Sequence, residues 1–332
     1  MRILSLAPLA GPALARLRAL GDLELDPWID HVPIKLHAAG ELLARLAGVD
    51  VLIVEADFIP VEVFEGSSLR FLCVCRGDPN NVDMTAATRR EVTVIRTPGR
   101  NAEGVAELAV ALMLALLRSI VAADDDVRAG RWVVDERIAQ QRYRGRELRS
   151  CSVGLVGFGA VGRATARKLL ALGARVLASD PMIDADDMRA GGVQPVGSPG
   201  ELFEASDIVS VHAPLNDATR GMLDAAIFAR LRPGSYFVNT ARYDIADEQA
   251  LLDALADGRL AGAALDHFHH EFLPADHPLT SMPNVVLTPH IGGTTVETIE
   301  THTAQIADGL EAVLAGEVPS SVVNPEVLRA ST

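Results

Sequence analysis

Residues 153–180 read VGLVGFGAVGRATARKLLALGARVLASD and restrict the fold more than any other stretch. An apolar run (Val153, Leu155, Val156) enters Gly157-x-Gly159-x-x-Gly162, an amphipathic helical pattern follows, and a second apolar run ends at Asp180. Strand, tight turn, helix and strand in that order are the context that gives a glycine fingerprint its meaning. Gly157 permits the sharp turn, Gly159 lets the backbone approach a pyrophosphate, and Gly162 lets the helix pack close to the strand. The free N–H groups at the helix start then face the phosphates, so Phe158, Ala160 and Val161 join the three glycines as candidate cofactor contacts. Asp180 stands 18 residues after Gly162. A carboxylate there takes the hydrogens of an adenosine ribose and repels a 2′-phosphate, which favours NAD(H) over NADP(H).

The 332-residue chain, 49% hydrophobic, is long enough for two domains. A net charge of −14 lacks the basic face that nucleic acid requires. The longest apolar stretch, 105–121, is interrupted by Glu107 and Arg118, so no membrane partner is expected. Cys73, Cys75 and Cys151 form neither a zinc spacing nor a disulfide framework, which fits a reducing cytoplasm. Cys73 and Cys75 alternate on an apolar run and read as core. The apolar residues 3–10 imitate a short signal peptide, but a first strand over 2–7 feeding a helix after Gly11-Pro12 accounts for them better.

Apolar runs at 49–55, 69–75 and 92–96 read as buried parallel strands, and 101–120 reads as one long, mostly buried helix. After Asp180 further strands are expected at 208–212, 236–239, 262–266 and 285–288, separated by helices such as 247–256. This is an α/β chain of βαβ units building doubly wound parallel sheets. A closing helix over 294–315 returns to the first domain. A Rossmann nucleotide domain, 99–295, is then inserted into a flavodoxin-like substrate domain, 1–98 plus 296–332. The cleft between two such domains is where chemistry is expected.

Three further segments carry a family likeness: Val238-Asn239-Thr240-Ala241-Arg242, Ala263-Ala264-Leu265-Asp266-His267-Phe268, and Thr288-Pro289-His290-Ile291-Gly292-Gly293. In this order, with the glycine fingerprint, the chain resembles the D-isomer-specific 2-hydroxyacid dehydrogenases over nearly its whole length. The resemblance implies a catalytic arginine at Arg242, an acid–base histidine at His290 and its carboxylate partner at Glu271. It also implies that Asp266 holds the nicotinamide carboxamide, and extends the cofactor contacts to His212, Ala213, Pro214, Thr240, Ala241 and Gly292. Gly77 and Asp78 match the loop whose backbone N–H groups receive the substrate carboxylate, with Arg76 beside it. A homodimer is implied as well, with Trp132 at the interface.

These residue types suit the reaction. Reducing a 2-keto acid delivers hydride to carbon and a proton to oxygen, and an imidazolium serves the second task. A carboxylate on the far ring nitrogen orients the imidazole, and a guanidinium grips the substrate carboxylate through two parallel bonds. Hydride transfer of this kind needs no metal. The cluster His267, His269, His270 sits among Phe268 and Phe272 and reads as a loop rather than a metal site. Relatives carry two small residues where Tyr243-Asp244 stand; either the local backbone differs, or the pocket has gained a phenol and a carboxylate. The expected function is hydride transfer between NAD(H) and a small D-2-hydroxy acid or its 2-keto acid. Two readings stand beside it: an NAD(H)-sensing, co-repressor-like binding protein with little turnover, and an enzyme of this fold acting on another oxyacid such as phosphite.

Overall fold

The computed structural model describes residues 1–329; residues 330–332 of the range 296–332 assigned above lie outside them. The chain divides into two compact units: Met1–Arg100 with the segment from Thr295 on, and Asn101–Thr294.

In the first unit, β1 (Arg2–Ser5), β2 (Asp22–Leu25), β3 (Val51–Val54), β4 (Phe71–Val74) and β5 (Thr93–Arg96) form a five-stranded sheet. The order is β2-β1-β3-β4-β5, and every pairing is parallel. That is the flavodoxin-like order. Alternate side chains serve opposite cores, as the period of two demands. Ile3, Val51, Ile53, Phe71 and Cys73 face the helices Ala13–Leu20 and Val296–Leu314. Leu4, Leu52, Val54, Leu72 and Val74 face the helices Ala39–Arg45, Val61–Gly66 and Met84–Arg89. Thr295 caps Val296–Leu314 by accepting from the Thr298 N–H. Cys73 and Cys75 are fully buried thiols in this unit.

The open edge of β5 is covered by the C-terminal segment. The Arg96 and Val323 N–H groups bond to Ser321 and Val94 carbonyls at 2.9 Å each. Buried Asn324 accepts from the Val94 N–H at 2.9 Å and donates to the Val92 carbonyl at 2.9 Å. An edge strand is thus given partners along its length.

The second unit starts with the helix Ala102–Leu117. This helix stops short of the Ile120 expected from sequence, because Ser119 turns into the left-handed region (φ 49°) and a separate helix, Ile120–Arg128, begins. A hairpin of β6 (Val133–Val134) and β7 (Arg137–Ile138) follows. The main sheet comprises β8 (Ser152–Val156), β9 (Arg175–Ser179), β10 (Gln194–Pro195), β11 (Ile208–Val211), β12 (Ser235–Asn239), β13 (Leu260–Leu265) and β14 (Val285–Leu287). Its order, β10-β9-β8-β11-β12-β13-β14, is the nucleotide-binding order with one strand added. One face packs on Ala102–Leu117 and Ala160–Ala171 through Met113, Leu116, Ala166 and Leu169. The other holds Phe203, Phe228 and Phe237, with successive ring centroids 5.7 and 5.3 Å apart. Among the described residues no single helix is long and apolar enough to cross a membrane.

Asn324 supplies the test of the covered edge. Asn324→Leu strands buried backbone groups of Val92 and Val94, at a cost of about 1–3 kcal/mol. Urea denaturation of the purified protein should show a midpoint below wild type, and an unchanged midpoint would refute the role given to this side chain.

Candidate active site

The two halves of the second unit's sheet diverge between β8 and β11, and the fingerprint lies at that switch point. Gly157 leaves β8 with φ 96°, and a Cβ there would meet the Ala213 nitrogen at 2.7 Å. Gly162, in the first turn of Ala160–Ala171, would place a Cβ 2.4 Å from the Gly157 carbonyl oxygen. Both positions therefore demand glycine for the chain's own packing. Gly159 does not: a Cβ there meets nothing within 4 Å. Its N-cap position also carries no side-chain cap, so the N–H groups opening the helix at Ala160 and Val161 receive no capping oxygen. An open approach to uncapped donors fits a pyrophosphate. Phe158 is buried under the Arg163 guanidinium, 5.0 Å away.

Asp180 follows β9. One of its oxygens accepts from the Phe158 N–H at 2.7 Å and the other from the Met182 N–H at 2.9 Å. A carboxylate oxygen accepts more than one bond, so the group keeps capacity for ribose hydroxyls. His212 and Ala213 follow β11, with Pro214 exposed beyond them. The His212 Nε2 lies 3.0 Å from the Ser210 hydroxyl, and burial pushes this imidazole down to about 4, so it is neutral near pH 7. After β12, Asn239 brackets the next residues. It accepts from the Ala241 N–H at 3.0 Å and donates to the Arg242 carbonyl at 2.9 Å, with buried Thr240 between. Asn239 escaped the sequence reading, although an Asn before a turn is the local signal for such a bracket.

Asp266, at the end of β13, is 1% exposed. Its carboxylate accepts from the Thr288 hydroxyl at 2.6 Å, the Ile291 N–H at 2.9 Å and the Gly292 N–H at 2.8 Å. These bonds fix the loop that carries His290, itself held in the left-handed region at φ 54°. Glu271 is likewise left-handed at φ 57°. The His290 Nδ1 lies 2.9 Å from both Glu271 oxygens. Bulky residues in that region cost energy and gather where geometry is over-determined.

His267 joins this pair, and sequence reasoning missed it. Its Nε2 lies 3.0 Å from Glu271 Oε1, and its ring centroid is 4.5 Å from that of His290. Burial lowers the proton affinity of His267, and the nearby Arg242 charge lowers it further. The charges of Arg242, Asp266 and Glu271 in the second unit all bear on the proton affinity of this ring. Arg242 is exposed, and its Nη1 donates to its neighbour's carbonyl, Ala241 O, at 2.9 Å.

The pocket phenol raised above is not found. Tyr243 is buried and packs on Phe268, ring centroids 6.0 Å apart, because the apolar ring gains more from the core than from water. Asp244 is held between the Arg220 guanidinium and the His269 Nδ1, each at 3.0 Å. Burial opposes its ionisation, but these two bonds prevail and hold the carboxyl below its usual range.

Arg76, Gly77 and Asp78 belong to the first unit, in the loop after β4. Gly77 and Asp78 are exposed. The Arg76 Nε donates to the Glu55 carbonyl at 2.6 Å and its Nη1 to Asn80 Oδ1 at 3.0 Å, so this guanidinium braces the loop.

Residues 110–292 match the family described as D-isomer specific 2-hydroxyacid dehydrogenase, NAD binding domain. A glyoxylate reductase of Thermofilum pendens is 36% identical over 96% of this chain and 93% of its own length. Among solved structures, a protein of Thermus thermophilus is 34% identical with a TM-score of 0.82, covering 97% of this chain and all of that one. An acyclic imino acid reductase in complex with NADPH and D-Arg is 27% identical, with a TM-score of 0.80 and coverage of 97% of this chain and 100% of its own. With the glycine cradle and the strand order, these likenesses establish that the chain belongs to the D-isomer specific 2-hydroxyacid dehydrogenases, NAD-dependent enzymes that move hydride between the cofactor and a hydroxy or keto acid.

Proposed function

We propose that this enzyme reduces a small 2-keto acid, glyoxylate or one slightly larger, to the corresponding 2-hydroxy acid, of D configuration where that carbon is a stereocentre, with His290 as proton donor, Glu271 as its orienting carboxylate and Arg242 as substrate anchor. The observation carrying this reading is the 2.9 Å contact of His290 Nδ1 with both Glu271 oxygens. Glu271 occupies Nδ1, so Nε2 is the nitrogen that delivers the proton to the carbonyl oxygen. Arg242, whose Nη1 donates to the Ala241 carbonyl, offers its fork to the substrate carboxylate. Gly77 and Asp78, exposed in the first unit, offer their backbone N–H groups to a carboxylate. The name of the Thermofilum pendens relative supports a substrate as short as glyoxylate.

NADH supplies the hydride when bound. In this proposal Gly157, Phe158, Gly159, Ala160, Val161 and Gly162 hold its pyrophosphate and Asp180 its ribose. His212, Ala213, Pro214, Thr240, Ala241 and Gly292 line the nicotinamide end, and Asp266 meets the carboxamide while fixing the His290 loop. The pairing of Asp244 with Arg220 and His269 leaves little bare negative charge to repel a substrate there.

The same proposal includes a homodimer in the cytoplasm. Ile120, Val121 and Trp132 are 53%, 52% and 63% exposed on Ile120–Arg128 and the turn after it, an apolar surface suited to a second copy. All three cysteines are free thiols, in keeping with a reducing compartment.

Three outcomes check this reading. With NADH and a panel of 2-keto acids, His290→Ala should lose about 10²–10⁴-fold in kcat, whereas Arg242→Lys should raise KM and lower kcat together; near-normal turnover by His290→Ala removes the assignment. Gly159→Ala should keep the wild-type melting temperature and bind NADH more weakly, while Gly162→Ala should lose both; equal NADH affinity in Gly159→Ala would move the pyrophosphate elsewhere. In sedimentation, Trp132→Glu should run as a monomer where wild type runs as a dimer, and a wild type already monomeric ends that part of the proposal.

A further inference from the structure

The cluster around Glu271 has a donor set that hydride transfer does not require. His267 Nε2 and His290 Nδ1 lie 3.0 and 2.9 Å from the same Glu271 oxygen, Oε1. One ligand atom from each of the three residues falls within 4.8 Å of the others. We propose that His267, Glu271 and His290 form a binding site for a borderline transition-metal ion, Zn²⁺ foremost, whose occupancy reversibly switches the enzyme off.

The distances carry the argument. In a tetrahedral zinc site with bonds of about 2.0–2.2 Å, neighbouring ligand atoms stand roughly 3.3–3.5 Å apart. Both nitrogen–oxygen edges are already within about half an ångström of that value, and the nitrogen–nitrogen edge, within 4.8 Å, closes by rotation of the two imidazoles. Two imidazole nitrogens with one carboxylate oxygen form the protein ligand set of hydrolytic zinc sites, which leave a fourth position for water. The nitrogen ligands select against Mg²⁺ and Ca²⁺, which favour oxygen shells.

The frame is held on the His290 side. Asp266 accepts from the Ile291 and Gly292 N–H groups and so holds the His290 loop. An ion can also reach the site, since the Glu271 and His290 side chains are 55% and 43% exposed. The neighbouring imidazoles take no part. His269 is turned to Asp244 at 3.0 Å, and His270 stacks against it with ring centroids 4.0 Å apart. Of the three clustered histidines, the fold selects His267 alone.

The inhibitory consequence rests on the function proposed above, whereas the binding does not. A metal on Nδ1 of His290 and on Glu271 replaces the contact that orients the imidazole and keeps the ring from cycling through its protonated form. No bond of the substrate is made or broken at the ion.

The test titrates the full-length protein, without NADH, with Zn²⁺ by calorimetry and with Co²⁺ by visible absorption. Wild type should take up one ion with micromolar affinity and give the intense bands of tetrahedral cobalt. His267→Val, confirmed folded by its circular dichroism, should bind at least about ten-fold more weakly. Zn²⁺ should inhibit NADH turnover by wild type over the same concentrations, Mg²⁺ should not, and His267→Val should tolerate about ten-fold more zinc than wild type, each protein compared with its own metal-free rate. Absence of stoichiometric uptake by wild type, or equal uptake by His267→Val, overturns the site. Metal-free wild type that turns over no keto acid would fail the functional reading alone, because the titrations still decide the site. Should His267→Val not fold, Glu271→Gln takes its place in the titrations.

Discussion

The buried carboxylate of Asp266 is the constraint on which the reacting geometry depends. A charge removed from water is tolerated only where donors satisfy it, and three donors from one short stretch, Thr288 to Gly292, do so here. The end of β13 is thereby coupled to the turn after β14. His290 sits inside that coupled turn with a backbone conformation unusual for a bulky residue, and its ring is presented to Glu271. Fixing the loop first leaves the imidazole a short search for its carboxylate partner, which is how a scaffold places two side chains to within a fraction of an ångström.

Much of this organisation was legible along the chain. The buried strands were visible because parallel sheets covered on both faces need continuous apolar runs. What escaped reading lacks that signal. β2, DLEL, is an edge strand with polar residues in it; β10 is only Gln194-Pro195; and the hairpin β6–β7 has two residues per strand. The break between Ala102–Leu117 and Ile120–Arg128 was hidden as well, because Ser119 resembles any other helical serine until its φ is seen.

The site divides along the same line. Arg242, Glu271 and His290 were singled out by the family resemblance, which a linear motif records, and of these the structure brings His290 against Glu271. The approach of His267 to Glu271 depends on a turn with two consecutive left-handed residues, His270 and Glu271, and no periodicity announces that. Tyr243 showed the reverse failure. Its position beside Arg242 suggested a pocket, yet the side chain points to the core, and Asp244 next to it is bound by Arg220 and His269. Adjacent residues in a turn face different environments, so proximity in sequence to a reacting group says little about which way a side chain is directed.

The division of the chain also sets an order of events during synthesis. The second unit is continuous in sequence and can complete its sheet as soon as it leaves the ribosome. The first unit cannot, because Ile306 and Leu310 of Val296–Leu314 pack on the face formed by Ile3, Val51 and Ile53. At ~5–20 residues per second, that apolar face waits roughly 10–40 s for its cover while residues 101–294 are translated. A nascent chain of this architecture is therefore a natural client for holding factors at the tunnel exit. Slowing translation within the inserted unit would prolong that exposure without altering a single contact of the finished protein.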